Sequence, residues 1–184
     1  MKISMISAIL FSLCFAQFSY ADEQTCSKTF SHSMKKLHSN DTIDLCELTK
    51  GKTVLVVNTA SHCGYTKQFK GLETLHQQYG DQGLVMLGFA SNDFYQEAAN
   101  EEEAAKVCFV NFGVSFTMLA PSRVKGKQAN PVFQVINEQS AKPSWNFTKY
   151  LINSEGQVVE RFSSSVRPDA AALKQAIEKS LTSI

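Results

Sequence analysis

The chain has 184 residues, enough for one domain with a real core. Its 43% hydrophobic content, with 13 Phe, excludes a disordered chain. A net charge of +1 gives no electrostatic basis for a nucleic-acid partner or an anionic surface.

The first 21 residues differ from the rest. Met1-Lys2 is a minimal positive start, Ile6 to Phe18 is mostly apolar, and Ser19-Tyr20-Ala21 is a small-x-small cleavage signal. This predicts a cleaved signal peptide over 1–21, a single domain over 22–184, and no membrane span after cleavage. Leu13 before Cys14 is not the small residue of a lipoprotein signal, so no lipid anchor is expected. Cleavage removes Cys14 and leaves Cys26, Cys46, Cys63 and Cys108. Export would place them in an oxidising compartment, the periplasm of a bacterium. With no C-x-x-C spacing and scattered histidines, neither a zinc site nor another metal site or cofactor is expected.

Residues 22–50 form a polar lead-in. Thr42 to Cys46 alternates, with Ile43 and Leu45 on one face and Cys46 on the other, which predicts a short strand of a hairpin. Glu47 breaks that alternation. Cys26 could pair with Cys46 as a structural disulfide, or both could remain thiols; export favours the pair. Val54 to Val57 predicts a buried strand over 53–60, and Tyr65, Phe69, Leu72, Leu75 and Tyr79 predict a helix over 64–79. Cys63 then lies in the strand-to-helix turn. Free backbone N–H groups and the positive end of the helix dipole favour its thiolate, so Cys63 is a candidate nucleophile.

Gly80 to Gly83 predicts a turn, and Leu84 to Ala90 a second buried strand reached by a right-handed parallel crossover. After a polar loop over 92–100, Asn100-x-x-Glu103 has the spacing of a helix start. Ala104, Val107, Cys108 and Asn111 would share one face of that helix, and Gly113 would end it. Phe116 to Leu119 predicts a strand, Pro121 to Gln128 a loop, and Pro131 to Asn137 a short helix or turn. Trp145 to Ile152 predicts a strand around Phe147, Asn153 to Gly156 a hairpin turn, and Gln157 to Phe162 the return strand. Pro168 suits the first turn of a last helix with Leu173, Ile177 and Leu181 on its apolar stripe. The order points to a thioredoxin-like α/β sandwich: a mixed central sheet, flanking helices and an N-terminal β-hairpin.

Val57-Asn-Thr-Ala-Ser-His-Cys-Gly-Tyr-Thr-Lys-Gln-Phe-Lys-Gly-Leu72 resembles the signature of the glutathione peroxidase family. Gly88-Phe-Ala-Ser-Asn-Asp-Phe94, Cys108-Phe-Val-Asn-Phe-Gly-Val114, Asn130-Pro-Val132 and Trp145-Asn-Phe-Thr-Lys149 follow in the family's order. The resemblance implies a thiol peroxidase in which Cys63 attacks hydrogen peroxide or an organic hydroperoxide. A glutamine, a tryptophan indole and an asparagine serve that step in the family; Trp145 and Asn146 match two of them. Asp93 stands at the glutamine's place in the Asn-Gln-Phe motif. Its carboxylate would oppose a nearby thiolate unless it swings away, pairs with a cation such as Lys67 or His62, or is protonated. The loop Phe94-Tyr-Gln-Glu97 is shorter than the family's glycine-containing version, and Thr117 stands where the family has proline.

Cys108 falls where thioredoxin-dependent members carry a resolving cysteine. The implied cycle makes a Cys63 sulfenic acid, condenses it with Cys108, and reduces the disulfide with a thioredoxin-like protein or glutathione. The short stretch from Gln134 to Ser144 lacks the insertion of tetrameric, glutathione-using members, which implies a monomer or weak dimer and a protein reductant. An oxidising compartment holds little free glutathione or thioredoxin, so a membrane-fed thioredoxin-like donor fits export better. Two other readings compete. One is a thiol–disulfide oxidoreductase, weakened by Thr66 at the place of a second C-x-x-C cysteine. The other is a non-catalytic thioredoxin-like domain, prompted by Asp93.

Overall fold

The computed structural model describes residues 25–183. The predicted signal peptide and Cys14 lie outside the described residues. In chain order the elements are strands β1 (Ser33–Lys35) and β2 (Thr42–Asp44), helix α1 (Leu45–Thr49), strand β3 (Thr53–Thr59), helix α2 (Gln68–Tyr79) and strand β4 (Leu84–Ala90). Helix α3 (Glu101–Ala105) runs into a π-helical turn over Lys106–Asn111. Strand β5 (Thr117–Leu119), helix α4 (Pro131–Gln139), strands β6 (Lys149–Ile152) and β7 (Val158–Phe162), and helix α5 (Ala171–Leu181) follow.

The sheet order is β5-β4-β3-β6-β7. β3, β4 and β5 run parallel, while β6 lies antiparallel to both β3 and β7. Strands β1 and β2 form a separate antiparallel hairpin. Every residue of β3 and β4 is buried, as expected of parallel strands covered on both faces. Alternation along β3 divides the core. Leu55 and Val57 join Phe69 and Leu72 of α2 and Leu173 and Ile177 of α5. Val54 and Val56 join Val132, Phe133 and Ile136 of α4. This is the thioredoxin-like sandwich with a mixed sheet that the sequence order predicts.

Several boundaries differ from the sequence reading, each for a local reason. Strand β2 stops at Asp44 because its carboxylate caps a helix, accepting N–H from Cys46 at 2.8 Å and Glu47 at 3.4 Å. Leu45 and Cys46 are therefore helical, and the mismatch at Glu47 marked that start. Helix α2 begins at Gln68, not at 64. The Thr66 hydroxyl accepts the Cys63 N–H at 3.1 Å and donates to the Ala60 carbonyl at 2.9 Å, folding residues 60–66 into turns. The π-helical turn rotates Asn111 to the surface and brings Ala105 inside, so the face through Ala104, Val107, Cys108 and Asn111 is not kept.

Strand β6 begins at Lys149 because Phe147 has φ +62, outside the strand region. Trp145 and Asn146 thus lie on a corner and not in a strand. Pro168 precedes α5 in a turn, and Gly71 of α2 packs against its ring: a Cβ there would sit 2.9 Å from the Pro168 Cβ. Cys26 and Cys46 form a disulfide with Cα atoms 5.5 Å apart, tying the lead-in to α1. No helix among the described residues is long and apolar enough to cross a membrane.

Candidate active site

Cys63 sits in the turns that leave the end of β3, 7% exposed. Its Sγ accepts the Tyr65 N–H at 3.4 Å. Helix α2 starts five residues later, so a turn amide replaces the helix end as the nearest support for a thiolate. Gly64 is exposed, and a Cβ there would meet nothing within 4 Å. A groove of about 630 Å³ opens beside it, walled by Tyr65, Leu75 and Pro168. Lys67, Lys70, Arg167 and Lys174 line the groove against one acid, Asp169.

The corner that ends at β6 supplies two further groups. Phe147 donates its N–H to the Asn58 carbonyl at 2.6 Å, and the Asn58 side chain donates to the Trp145 carbonyl at 3.1 Å. Both bonds tie the corner to β3, the strand that leads to Cys63. Trp145 is 41% exposed, and its ring packs on Phe94, centroids 5.3 Å apart. Asn146 is fully buried and donates through Nδ2 to Gln96 Oε1 at 3.1 Å.

Gln96, which sequence reasoning did not single out, joins these residues. Its carbonyl accepts the His62 N–H at 2.9 Å, so it is held beside Cys63 by backbone and beside Asn146 by side chain. Among the described residues neither Gln96 Nε2 nor Trp145 Nε1 donates a hydrogen bond, leaving two N–H groups free for a ligand oxygen. Gln96 lies three residues after Asp93 in the same polar loop, so an amide was on offer there to the sequence, but only its bond to Asn146 singles it out.

Asp93 faces elsewhere. One carboxylate oxygen pairs with Arg123 Nε. The other accepts the N–H groups of Val124 at 2.7 Å and Lys125 at 3.0 Å. The cation is Arg123 and not Lys67 or His62. The His62 ring instead lies 3.3 Å from Glu103. Asp93 hydrogen-bonds none of Cys63, Trp145 or Asn146 among the described residues; it anchors the loop over 121–128.

Cys108 belongs to the same apolar cluster as Cys63. It is 3% exposed, and its thiol donates to the Ala104 carbonyl at 2.9 Å. Burial, with the Glu97 carboxylate nearby, pushes the Cys108 thiol up to about 12. As seated it is a protonated, shielded thiol, so any reaction requires its helical turn to open.

The glutathione peroxidase family model matches residues 29–137. The chain is 48% identical over 126 residues to the glutathione peroxidase-like peroxiredoxin gpx1 of Schizosaccharomyces pombe, covering 65% of this chain and 80% of that protein. It is 44% identical over 138 residues to the glutathione peroxidase homolog BsaA of Staphylococcus aureus, covering 72% and 86%. Among solved structures, that of Trgpx in apo form superposes with a TM-score of 0.66 at 28% identity, over 86% of this chain and 97% of that one. A thiol:disulfide interchange protein DsbE from Chlorobium tepidum, at 19% identity and TM-score 0.61 over 85% and 96% of the two chains, shares the fold alone.

Proposed function

The chain belongs to the glutathione peroxidase family, and from that premise we propose that Cys63 is the thiol that cleaves the peroxide O–O bond. The enzyme is a thiol peroxidase: it reduces a hydroperoxide with electrons from a thiol donor. In our reading the Cys63 thiolate attacks one peroxide oxygen, the O–O bond breaks, and the other oxygen leaves as hydroxide or alkoxide. Gln96 Nε2 and Trp145 Nε1 hydrogen-bond the oxygen that gains charge, and Asn146 orients Gln96. Asp93 has no part in the chemistry. The observation that carries this reading is the position of Gln96, bonded at once to the His62 backbone and to the Asn146 side chain.

Cys63 is left as a sulfenic acid, and Cys108 resolves it to a disulfide after leaving its bond to Ala104. A thioredoxin-like dithiol protein then restores both thiols, with glutathione as the less favoured donor. The basic groove beside Gly64 offers that donor an approach to the Cys63 side. Thr66 holds the position of a second C-x-x-C cysteine with its hydroxyl already bonded, which leaves dithiol exchange no local partner. The segment 1–21 directs export to an oxidising compartment such as a bacterial periplasm, and the protein works there as a monomer or weak dimer. One equivalent of hydrogen peroxide should yield a Cys63–Cys108 crosslink, visible by peptide mass. Cys63→Ser should abolish it and Cys108→Ser should leave a trappable sulfenic acid; slow, unselective oxidation would overturn the reading.

A further inference from the structure

Glu97 follows Gln96 in the loop that serves the site, yet its side chain does different work. Its Oε1 accepts from the Ser61 N–H at 3.2 Å, from the Ser61 hydroxyl, and from the Ala98 N–H at 2.8 Å. Ser61 lies two residues before Cys63, so this oxygen fastens the loop to the Cys63 turn. All these bonds fall on one oxygen. Among the described residues Oε2 has no hydrogen-bond or ion-pair partner. Ala98 packs against the apolar cluster that contains both Cys63 and Cys108. A half-buried carboxylate is therefore bonded to the turn that carries Cys63 and is near enough to Cys108 for its charge to act on that thiol, with one oxygen fixed and the other open.

We propose that Glu97 is the proton-transfer group of the resolving step, its open Oε2 taking the Cys108 thiol proton and returning a proton to the hydroxyl that leaves Cys63. The proposal rests on the roles given above to Cys63 and Cys108. The step balances as follows: the Cys108 S–H and the Cys63 S–O bonds break, the S–S bond forms, and the hydroxyl departs as water with the thiol proton. Cys108 sulfur is oxidised and the sulfenic sulfur is reduced, so no further oxidant is needed.

The surroundings suit this task. Burial lifts the Glu97 carboxyl above its ordinary range, against the lowering bonds from Ser61 and Ala98 and the charge of His62. A base closer to neutrality transfers protons better in both directions. The titratable groups facing Glu97 are His62 from the Cys63 turn and Cys108 from the π-helical turn, with Glu103 beyond His62.

The test uses Glu97→Gln, whose amide oxygen can keep the bonds to Ser61 and Ala98 while the base is lost. Sulfenic acid formation is followed by dimedone trapping and disulfide formation by acid quench and peptide mass, both across pH 5–8. The variant should form the sulfenic acid within about threefold of the wild-type rate, but resolve it roughly 100-fold more slowly, the scale of a lost general base. Wild-type resolution should slow as pH falls and Glu97 gains its proton. That acid limb should vanish in Glu97→Gln. Imidazoles also gain a proton in mild acid, so His62→Gln is the control and should retain the limb. Wild-type resolution kinetics in Glu97→Gln, or no acid limb in the wild type, would overturn the proposal alone. Absence of any Cys63–Cys108 disulfide in the wild type would overturn the cycle beneath it as well.

Discussion

Asn146 donates through Nδ2 to Gln96 Oε1 at 3.1 Å, and this bond turns the Gln96 amide so that its N–H₂ end is free. Gln96→Ala should therefore slow Cys63 oxidation by about 100-fold, the usual loss of one preorganised donor. Asn146→Asp should also slow it, because a carboxylate cannot donate to Gln96 Oε1 and would free the amide to turn over. Stopped-flow oxidation by hydrogen peroxide checks both; an unchanged rate in Gln96→Ala would remove Gln96 from the site.

Asp93 should matter for stability and not for rate. Asp93→Asn loses the ion pair with Arg123 and sets an amide against the N–H groups of Val124 and Lys125, where one carboxylate oxygen now accepts both. A loss of about 1–3 kcal/mol in urea unfolding is expected. Cys63 oxidation should stay within about threefold, since Asp93 bonds none of the reacting groups.

Lys149 gives a pH signature. It is fully buried in β6, and its Nζ donates to Gln68 Oε1, to the Val166 carbonyl at 2.6 Å and to the Ser164 carbonyl at 3.5 Å. No carboxylate pairs with it among the described residues. Burial lowers its pKa to about 7 from an ordinary 10.5. Below about pH 7 both folded and unfolded chains hold the proton, and the cost of the buried charge is complete. Between about 7 and 10.5 the unfolded chain holds a proton that the folded chain has lost, so the Lys149 contribution to stability rises with pH at up to about 1.4 kcal/mol per unit. Unfolding of the wild type and of Lys149→Met at pH 6.5 and 9 isolates this. The variant should compare more favourably at pH 6.5 than at pH 9.

Replacing both Cys26 and Cys46 with Ser should lower stability by about 3 kcal/mol, because the bridge closes a loop of 20 residues. The Cys63 rate should not change. Denaturant unfolding and stopped-flow oxidation of the same sample separate the two effects.

The sequence carried the scaffold well because its signals are local. The apolar runs at 54–57 and 84–90, the Asn100 cap and the glycines at 113 and 156 each act within a few residues. Side-chain choices that redirect the backbone were harder to read. Asp44 caps a helix where alternation continued a strand, and Thr66 bonds back to Ala60 where spacing continued a helix. Phe147 takes a positive φ that aromatic residues rarely adopt, so no pattern announced the corner. Resemblance singled out Cys63, Trp145 and Asn146, and the structure ties the corner that carries the last two to β3, the strand that leads to Cys63. Gln96 was not singled out, because it is defined by meeting Asn146 across 50 residues of chain.

Strand β6 enters the sheet antiparallel beside β3, with Val57 opposite Lys149. That pairing joins residues far apart in sequence, and it brings Trp145 and Asn146 to the end of the strand that leads to Cys63. A chain made from its N-terminus therefore presents the Cys63 turn and Gln96 before the Trp145–Asn146 corner exists. Until β6 docks, Gln96 lacks its Asn146 partner. On the roles proposed above for Cys63, Gln96 and Trp145, fast peroxide reduction would come only with this long-range closure of the sheet, and its onset would report that β6 has docked.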